Sequence, residues 1–562
     1  MPAAAAESTR RADTFLAEAK LFQLGGLLTE QQHPKTLGLA EAAATDLGQA
    51  VAMIHAVDQD LPGVMADAVA RPQAVKMGES ILRSLRAGRK VFFTGCGATG
   101  RLSLLLESAW RNACAAEPAM AAYQDRVFGV MAGGDFALIK SVEGYEDYAV
   151  FGKRQIADLG VEAGDTVVAI TEGGETTFVI GTAHQAVDVG AETFFVYNNP
   201  DDMLRPVARS AAILDDDRVA KLNLTTGSMA VAGSTRMQAT SIQLAVVGAI
   251  LERSWALLAG GEAEPMSAYV ERFDHLVEQL ADAPARSAMV DLAGREAALY
   301  RPGRDGRVLY RALGLLLDVM TDTTERSPTF SLPAFRRKGD TDAPLSWSFV
   351  KDPTRPTPDA WRAMMGRPVR GIDWTSQDYE RMGAPEEVVA HPPKLDRATI
   401  ERFEIGHEPE DGPFDLRVAL TGAALGDAAA QPGADMVLCT AGSEPSGADP
   451  GAIVHRLPGV GVDGALRWGE RLQAKLVMNT LSTVSMAATG RLVSNWMVHV
   501  RCSNKKLIDR GIRLLRTQMD IDYETACRRL FDTIVELEQG PPSASAQSPV
   551  ALTLQRLQAE RG

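Results

Sequence analysis

Cysteine is scarce in this chain, with five residues in 562: Cys96, Cys114, Cys439, Cys502 and Cys527. They are scattered and odd in number, and no Cys-x-x-Cys or His-x-x-x-His spacing occurs, so neither a disulfide framework nor a zinc site follows from them. Positive charge is also short, with 58 Lys and Arg against 72 Asp and Glu and a net charge of −14. A nucleic-acid backbone needs a basic face, so nucleic acid is not an expected partner. No run of about 18 uncharged apolar residues is present, which argues against a membrane span. Residues 1–11 are rich in Ala but lack the apolar centre of a secretory signal, so the cytoplasm is the expected location. The chain is too long for one core and implies two or three domains.

What is present is a glycine-rich turn. Lys90-Val91-Phe92-Phe93-Thr94-Gly95-Cys96-Gly97-Ala98-Thr99-Gly100-Arg101 reads as an apolar strand that breaks into a turn and enters a helix. Glycines let the backbone approach a ligand closely, and free N–H groups at a helix N-terminus bind anions, so Gly97, Ala98 and Thr99 are candidate phosphate contacts. Cys96 is read as a small loop-filling residue. The acidic residue that would bind a dinucleotide ribose, expected roughly 20 residues on, has no counterpart, so no nicotinamide cofactor is expected, nor any other cofactor or metal.

A second strand, Asp165-Thr166-Val167-Val168-Ala169-Ile170, runs into Thr171-Glu172-Gly173-Gly174-Glu175-Thr176-Thr177. The two loops resemble those of the sugar isomerase (SIS) domain family, whose second phosphate loop has the form Ser-x-Ser-Gly-Glu-Thr. Thr171 and Gly173 stand where that pattern has serines, so the resemblance implies a phosphate held by Thr171, Thr176 and backbone N–H groups. Ser141-Val142-Glu143-Gly144-Tyr145-Glu146-Asp147, Gly233-Ser234-Thr235-Arg236-Met237, Leu28-Thr29-Glu30-Gln31-Gln32-His33-Pro34, Lys475-Leu476-Val477-Met478-Asn479 and Ser503-Asn504-Lys505-Lys506-Leu507 narrow it further. They resemble the branch that contains N-acetylmuramic acid 6-phosphate etherase and the glucokinase regulatory protein.

Strand-like runs at 90–96, 126–131, 165–170 and 192–197 alternate with helical stretches, the pattern of a parallel α/β sheet. A degenerate copy follows, in which Gly306-Arg307-Val308-Leu309-Tyr310 echoes Gly88-Arg89-Lys90-Val91-Phe92 and the phosphate loop is reduced to one glycine, Gly314. The expected architecture is α/β: two SIS-type three-layer domains with parallel sheets, packed as a pseudo-dimer, plus a C-terminal helical cap. The divisions are an N-terminal helical segment (1–60), a first SIS domain that binds phosphosugar (61–262), a degenerate second one (263–465), the cap (466–540) and a flexible tail (541–562). Residues 352–393, rich in Pro and charge, are read as a long surface excursion.

The resemblance implies two working glutamates. One is Glu146; the other belongs to an Asp-x-x-Glu-x-Pro-Pro-Thr segment that the first copy lacks, since Ala109 stands there and Glu107 would point elsewhere on its helix. Asp322-Thr323-Thr324-Glu325-Arg326-Ser327-Pro328-Thr329 supplies it from the second copy, so Glu325 would reach across to the first. Glu146 is assigned as the base that removes the C2 proton of an open-chain 6-phosphosugar and Glu325 as the acid that protonates the departing C3 oxygen. Glu143, Ser234, Asn504 and Lys506 are expected to line the site, while Arg236 pairs either with phosphate or with an acidic neighbour. Gln238 and Met229 depart from the etherase pattern, which has Lys and an acidic residue there.

The leading expectation is a phosphosugar lyase of the etherase type, with a phosphorylated sugar as ligand. A non-catalytic sugar-phosphate sensor with a sugar kinase partner is the second reading, and an aldose–ketose isomerase the third. Self-association stays open.

Overall fold

The computed structural model describes residues 2–19, 24–142, 144–301, 304, 306–422, 433–443, 448–500, 502, 505–540 and 547–561. Two five-stranded sheets organise it. In the first, β1 (Val91–Gly95), β2 (Val127–Met131), β3 (Thr166–Ile170), β4 (Glu192–Tyr197) and β5 (Val219–Asn223) lie in the order β2-β1-β3-β4-β5, with every pair parallel. β1 and β3 are buried along their whole length, because helices cover both faces of a parallel sheet; this is why they read as continuous Val, Phe and Ile rather than as alternating runs.

The second sheet repeats that order. β6 (Val308–Ala312), β7 (Ser348–Lys351), β8 (Leu416–Thr421), β9 (Met436–Cys439) and β10 (Ile453–Arg456) run β7-β6-β8-β9-β10, again all parallel. The two SIS copies seen in the sequence are therefore two complete sheets of one topology. Their facing helices, Gly97–Ala116 after β1 and Leu316–Phe330 after β6, pack against each other, which is the pseudo-dimer contact.

A helix follows the last strand of each copy, and here the expected cap must be redrawn. Residues Trp468–Ala488 take the place after β10 that 238–258 take after β5, and they run through the interior against helices of both copies and the N-terminal segment. The 238–258 helix is long and apolar enough to cross a membrane, yet 72% of its most apolar stretch is buried inside the protein, as suits a core helix. The cap itself is built from both ends of the chain: Pro2–Glu18 packs on Tyr523–Gln539, with the Phe15 and Phe531 rings 5.7 Å apart, beside Lys505–Met519. Beyond 547 the chain is not a flexible tail, because Pro549–Arg561 is a helix whose Val550 and Leu554 are buried against the two cap helices.

Residues 352–393 are likewise more than a surface excursion. Their first helix, Thr357–Met365, packs on Gly97–Ala116 and buries Trp361 and Met365. Arg367 then lies buried between Glu107 (2.9 and 3.0 Å) and Asp135 (2.6 and 3.1 Å) of the first copy, with Arg370 also on Glu107. Two charge-assisted forks fasten the insertion to the first sheet. Glu107, two residues before the expected catalytic place, is this anchor.

Candidate functional site

β1 and β3 are neighbours, but the chain leaves β1 for β2 on one side before it returns to β3 on the other. Such a reversal opens a crevice at the carboxyl ends of the strands, and both small-residue loops begin there. The first needs its glycines: a Cβ on Gly95 would lie 2.4 Å from the Thr99 carbonyl carbon, one on Gly100 2.5 Å from the Met131 side chain, and Gly97 has φ +56°. Cys96 is the N-cap of the following helix, and the first turn of that helix borders the crevice at Gly97 and Ala98.

The crevice is a cleft of about 220 Å³. Of the residues singled out from sequence, Gly97, Ala98, Glu146, Gly173, Thr176, Ser234, Arg236, Glu325 and Lys506 line it. Thr99 and Thr171 do not. Both are fully buried: the Thr99 hydroxyl accepts from Cys96 N–H at 3.0 Å and donates to the Cys96 carbonyl at 2.9 Å, and the Thr171 hydroxyl lies 3.0 Å from that of Thr176. They shape the loops instead of facing a ligand. Glu143 and Asn504 lie outside the described residues.

The second copy completes the wall. Glu325, Pro328 and Thr329 reach the cleft from the Leu316–Phe330 helix, and Glu325 is ion-paired to Arg101, a side chain with no exposure that also donates to the Ala137 carbonyl at 2.8 Å. Arg236 resolves to the acidic neighbour: it binds Asp322 at 2.8 Å and is held by Asn479, Ser482 and Thr483. The Ser234 hydroxyl, in contrast, has no hydrogen-bond partner among the described residues. Glu146 sits on a short turn that is pinned by its neighbour Tyr145, whose hydroxyl meets Tyr379 of the insertion and whose ring stacks on Trp374.

Charge in the cleft is unevenly matched. Lys506 reaches Glu175 at 2.9 Å, and with Arg209 it overcomes the effect of burial and holds that carboxyl down at about 2. Arg510, one helical turn beyond Lys506, pairs with Glu30 at 2.7 Å and keeps it well below the usual carboxylate range against burial. Burial raises Glu146 above its ordinary value, helped by Glu175 and Asp147 and opposed by Lys506. Glu172 is pushed up to about 7, by burial first.

Sequence reasoning missed Glu30, Glu172, Glu175 and Arg510. Their signals were present: Glu172 and Glu175 flank the two loop glycines, Glu30 belongs to a matching N-terminal motif, and Arg510 follows Lys506 at the i,i+4 spacing of one helix face.

Residues 73–187 match the family described as the glucokinase regulatory protein N-terminal SIS domain. N-acetylmuramic acid 6-phosphate etherase of Serratia proteamaculans is 30% identical over 227 residues, 40% of this chain and 69% of that protein. The Nostoc punctiforme protein of that name is 33% identical over 222 residues, again 40% of this chain and 65% of its own length. Among solved structures, the C-terminal domain of glucosamine-fructose-6-phosphate aminotransferase from Francisella tularensis covers 78% of this chain and 94% of its own, at 8% identity and a TM-score of 0.40. This chain belongs to the branch of the SIS-domain family that contains the N-acetylmuramic acid 6-phosphate etherases and the glucokinase regulatory protein.

Proposed function

We propose that the chain is a phosphosugar lyase of the etherase type, acting on a 6-phosphorylated amino sugar with an ether substituent on C3. The observation that carries this is the meeting of Glu146 from the first copy and Glu325 from the second in one cleft, above a helix N-terminus suited to a phosphate. In the open-chain aldehyde a carboxylate removes the C2 proton, the C3–O bond breaks as C2=C3 forms, and a carboxylic acid gives its proton to the departing oxygen. Water then adds at C3 and C2 is reprotonated. With N-acetylmuramic acid 6-phosphate the products are N-acetylglucosamine 6-phosphate and lactate.

The electrostatics favour an exchange of the roles assigned from sequence. A base must be ionised, and the Arg101 guanidinium beside Glu325 supports that residue in this role. Glu146, raised by burial and without an ion-pair partner among the described residues, suits the acid. The test is incubation with 6-phosphosugars in deuterated water, with C2 exchange and products read by NMR. Glu325→Gln should stop both exchange and elimination. Glu146→Gln should retain exchange and lose elimination by about 10²–10⁴-fold. Wild-type protein that binds phosphosugar but performs neither step would favour the second reading, a sugar-phosphate sensor, which the match to the regulatory protein's N-terminal SIS domain supports.

A further inference from the structure

Among the described residues five carboxyls line the cleft, those of Glu30, Glu146, Glu172, Glu175 and Glu325, against three cationic side chains, Arg236, Lys506 and Arg510. Every one of those cations is already engaged: Arg236 with Asp322, Lys506 with Glu175, and Arg510 with Glu30. Among the described residues no cleft cation is left over to receive a phosphate dianion. The excess must therefore be relieved on the acidic side, and the two carboxyls without an ion-pair partner among the described residues are Glu146 and Glu172.

Glu172 is the one inside the phosphate loop. It is only 8% exposed, makes no side-chain hydrogen bond to another described residue, and lines the cleft between Thr171 and Gly173. The SIS pattern places a serine hydroxyl at the next position, where this chain has Gly173 and no side-chain donor. A carboxylic acid can supply one donor in its place, and a carboxylate can only repel the anion.

We infer that Glu172 is a ligand-contacting residue that enters the complex protonated and donates a hydrogen bond to a phosphate oxygen, replacing the hydroxyl that position 173 lacks. This rests on the phosphosugar reading above but not on catalysis. The surroundings agree. Glu172 faces Glu325 of the second copy, Lys506 of the cap helix and Glu146 of the Tyr145–Asp147 turn; burial together with the two glutamates outweighs Lys506 and its own backbone N–H, so that it titrates at about 7 before ligand arrives. A phosphate bound to the acid form raises it further. Affinity is then complete below about pH 7 and falls above it, by up to about tenfold per pH unit, with uptake of a proton on binding.

Calorimetry on the full chain with N-acetylglucosamine 6-phosphate, between pH 6.5 and 8.5 and in two buffers of different ionisation enthalpy, tests this. Wild type should take up close to one proton per phosphosugar at pH 8. Glu172→Gln keeps an N–H donor and cannot ionise, so it should bind without that uptake, and the ratio of wild-type to variant Kd should climb with pH. The phosphate's own titration is common to both proteins and cancels in the ratio. Parallel pH profiles, or wild-type binding at pH 8 without proton uptake, overturn the inference alone. Failure of the wild type to bind this phosphosugar at every pH overturns the phosphosugar reading and the inference with it.

Discussion

The Thr99 hydroxyl is consumed within the loop it belongs to, bridging the Cys96 N–H and carbonyl, whereas the Thr176 side chain five residues beyond Thr171 reaches the cleft. The two threonines should therefore respond differently to the same change. Thr99→Val loses the capping-box bond to the Cys96 N–H and should lower stability by about 1 kcal/mol in urea denaturation. Its effect on phosphosugar affinity should come only through a loosened loop. Thr176→Val should leave the denaturation curve nearly in place and weaken binding by about 1–3 kcal/mol in calorimetry, the cost of an unsatisfied phosphate contact. The sequence shows that small hydroxylic residues cluster in both loops. It does not show which hydroxyl turns inward, because that depends on where the following helix starts.

At the scale of the element, the Lys505–Met519 helix is the part of the cleft that charge holds in place. Lys506, Arg510 and Arg513 share one face and bind Glu175 and Glu30, carboxyls that come from the second loop and from the N-terminal motif. Both carboxyls titrate lower in the folded protein than their ordinary value, Glu175 at about 2. A depressed carboxyl contributes stability above its unfolded pKa and loses it as pH falls through the folded one. The attachment should therefore be complete above about pH 4.5 and weaken toward pH 2. Hydrogen exchange over 505–519, corrected for intrinsic rates, should accelerate on acidification to pH 3 before exchange in β1 and β3 does. Equal acceleration of the helix and the strands would show that the helix has no separate tether. The basic spacing along the helix was legible in the sequence, while its partners, more than 300 residues away, were not.

At the scale of the molecule, both glutamates of the proposed chemistry depend on the second copy. Glu325 belongs to it, and the turn that carries Glu146 is wedged against Tyr379 and Trp374 of the 352–393 insertion. Arg367 ties that insertion to Glu107 and Asp135 with all three side chains buried. Arg367→Ala leaves the buried Asp135 without its ion-pair partner, while Glu107 keeps Arg111 and Arg370, and should destabilise the protein by about 3 kcal/mol in chemical denaturation. It should also lower elimination activity through a displaced Glu146. A variant with unchanged stability and activity would mean that the insertion is held by its apolar contacts around Trp361 alone.

The residues alone determined the sheets and the loops. Continuous Val, Ile and Phe runs ending in glycine-rich turns are a local pattern, and local patterns survive in one dimension. That Glu325 reaches the cleft was also visible, because the segment Asp322 to Thr329 has the spacing of the motif it resembles. Tertiary structure alone decided which charges neutralise which. Arg236 turned to Asp322, Arg101 to Glu325 and Lys506 to Glu175, and these pairings left Glu146 and Glu172 without an ion-pair partner among the described residues. The reason is physical: the state of a buried carboxyl depends on every charge within several ångströms, and here those charges come from both sheets, the cap and the N-terminal segment at once.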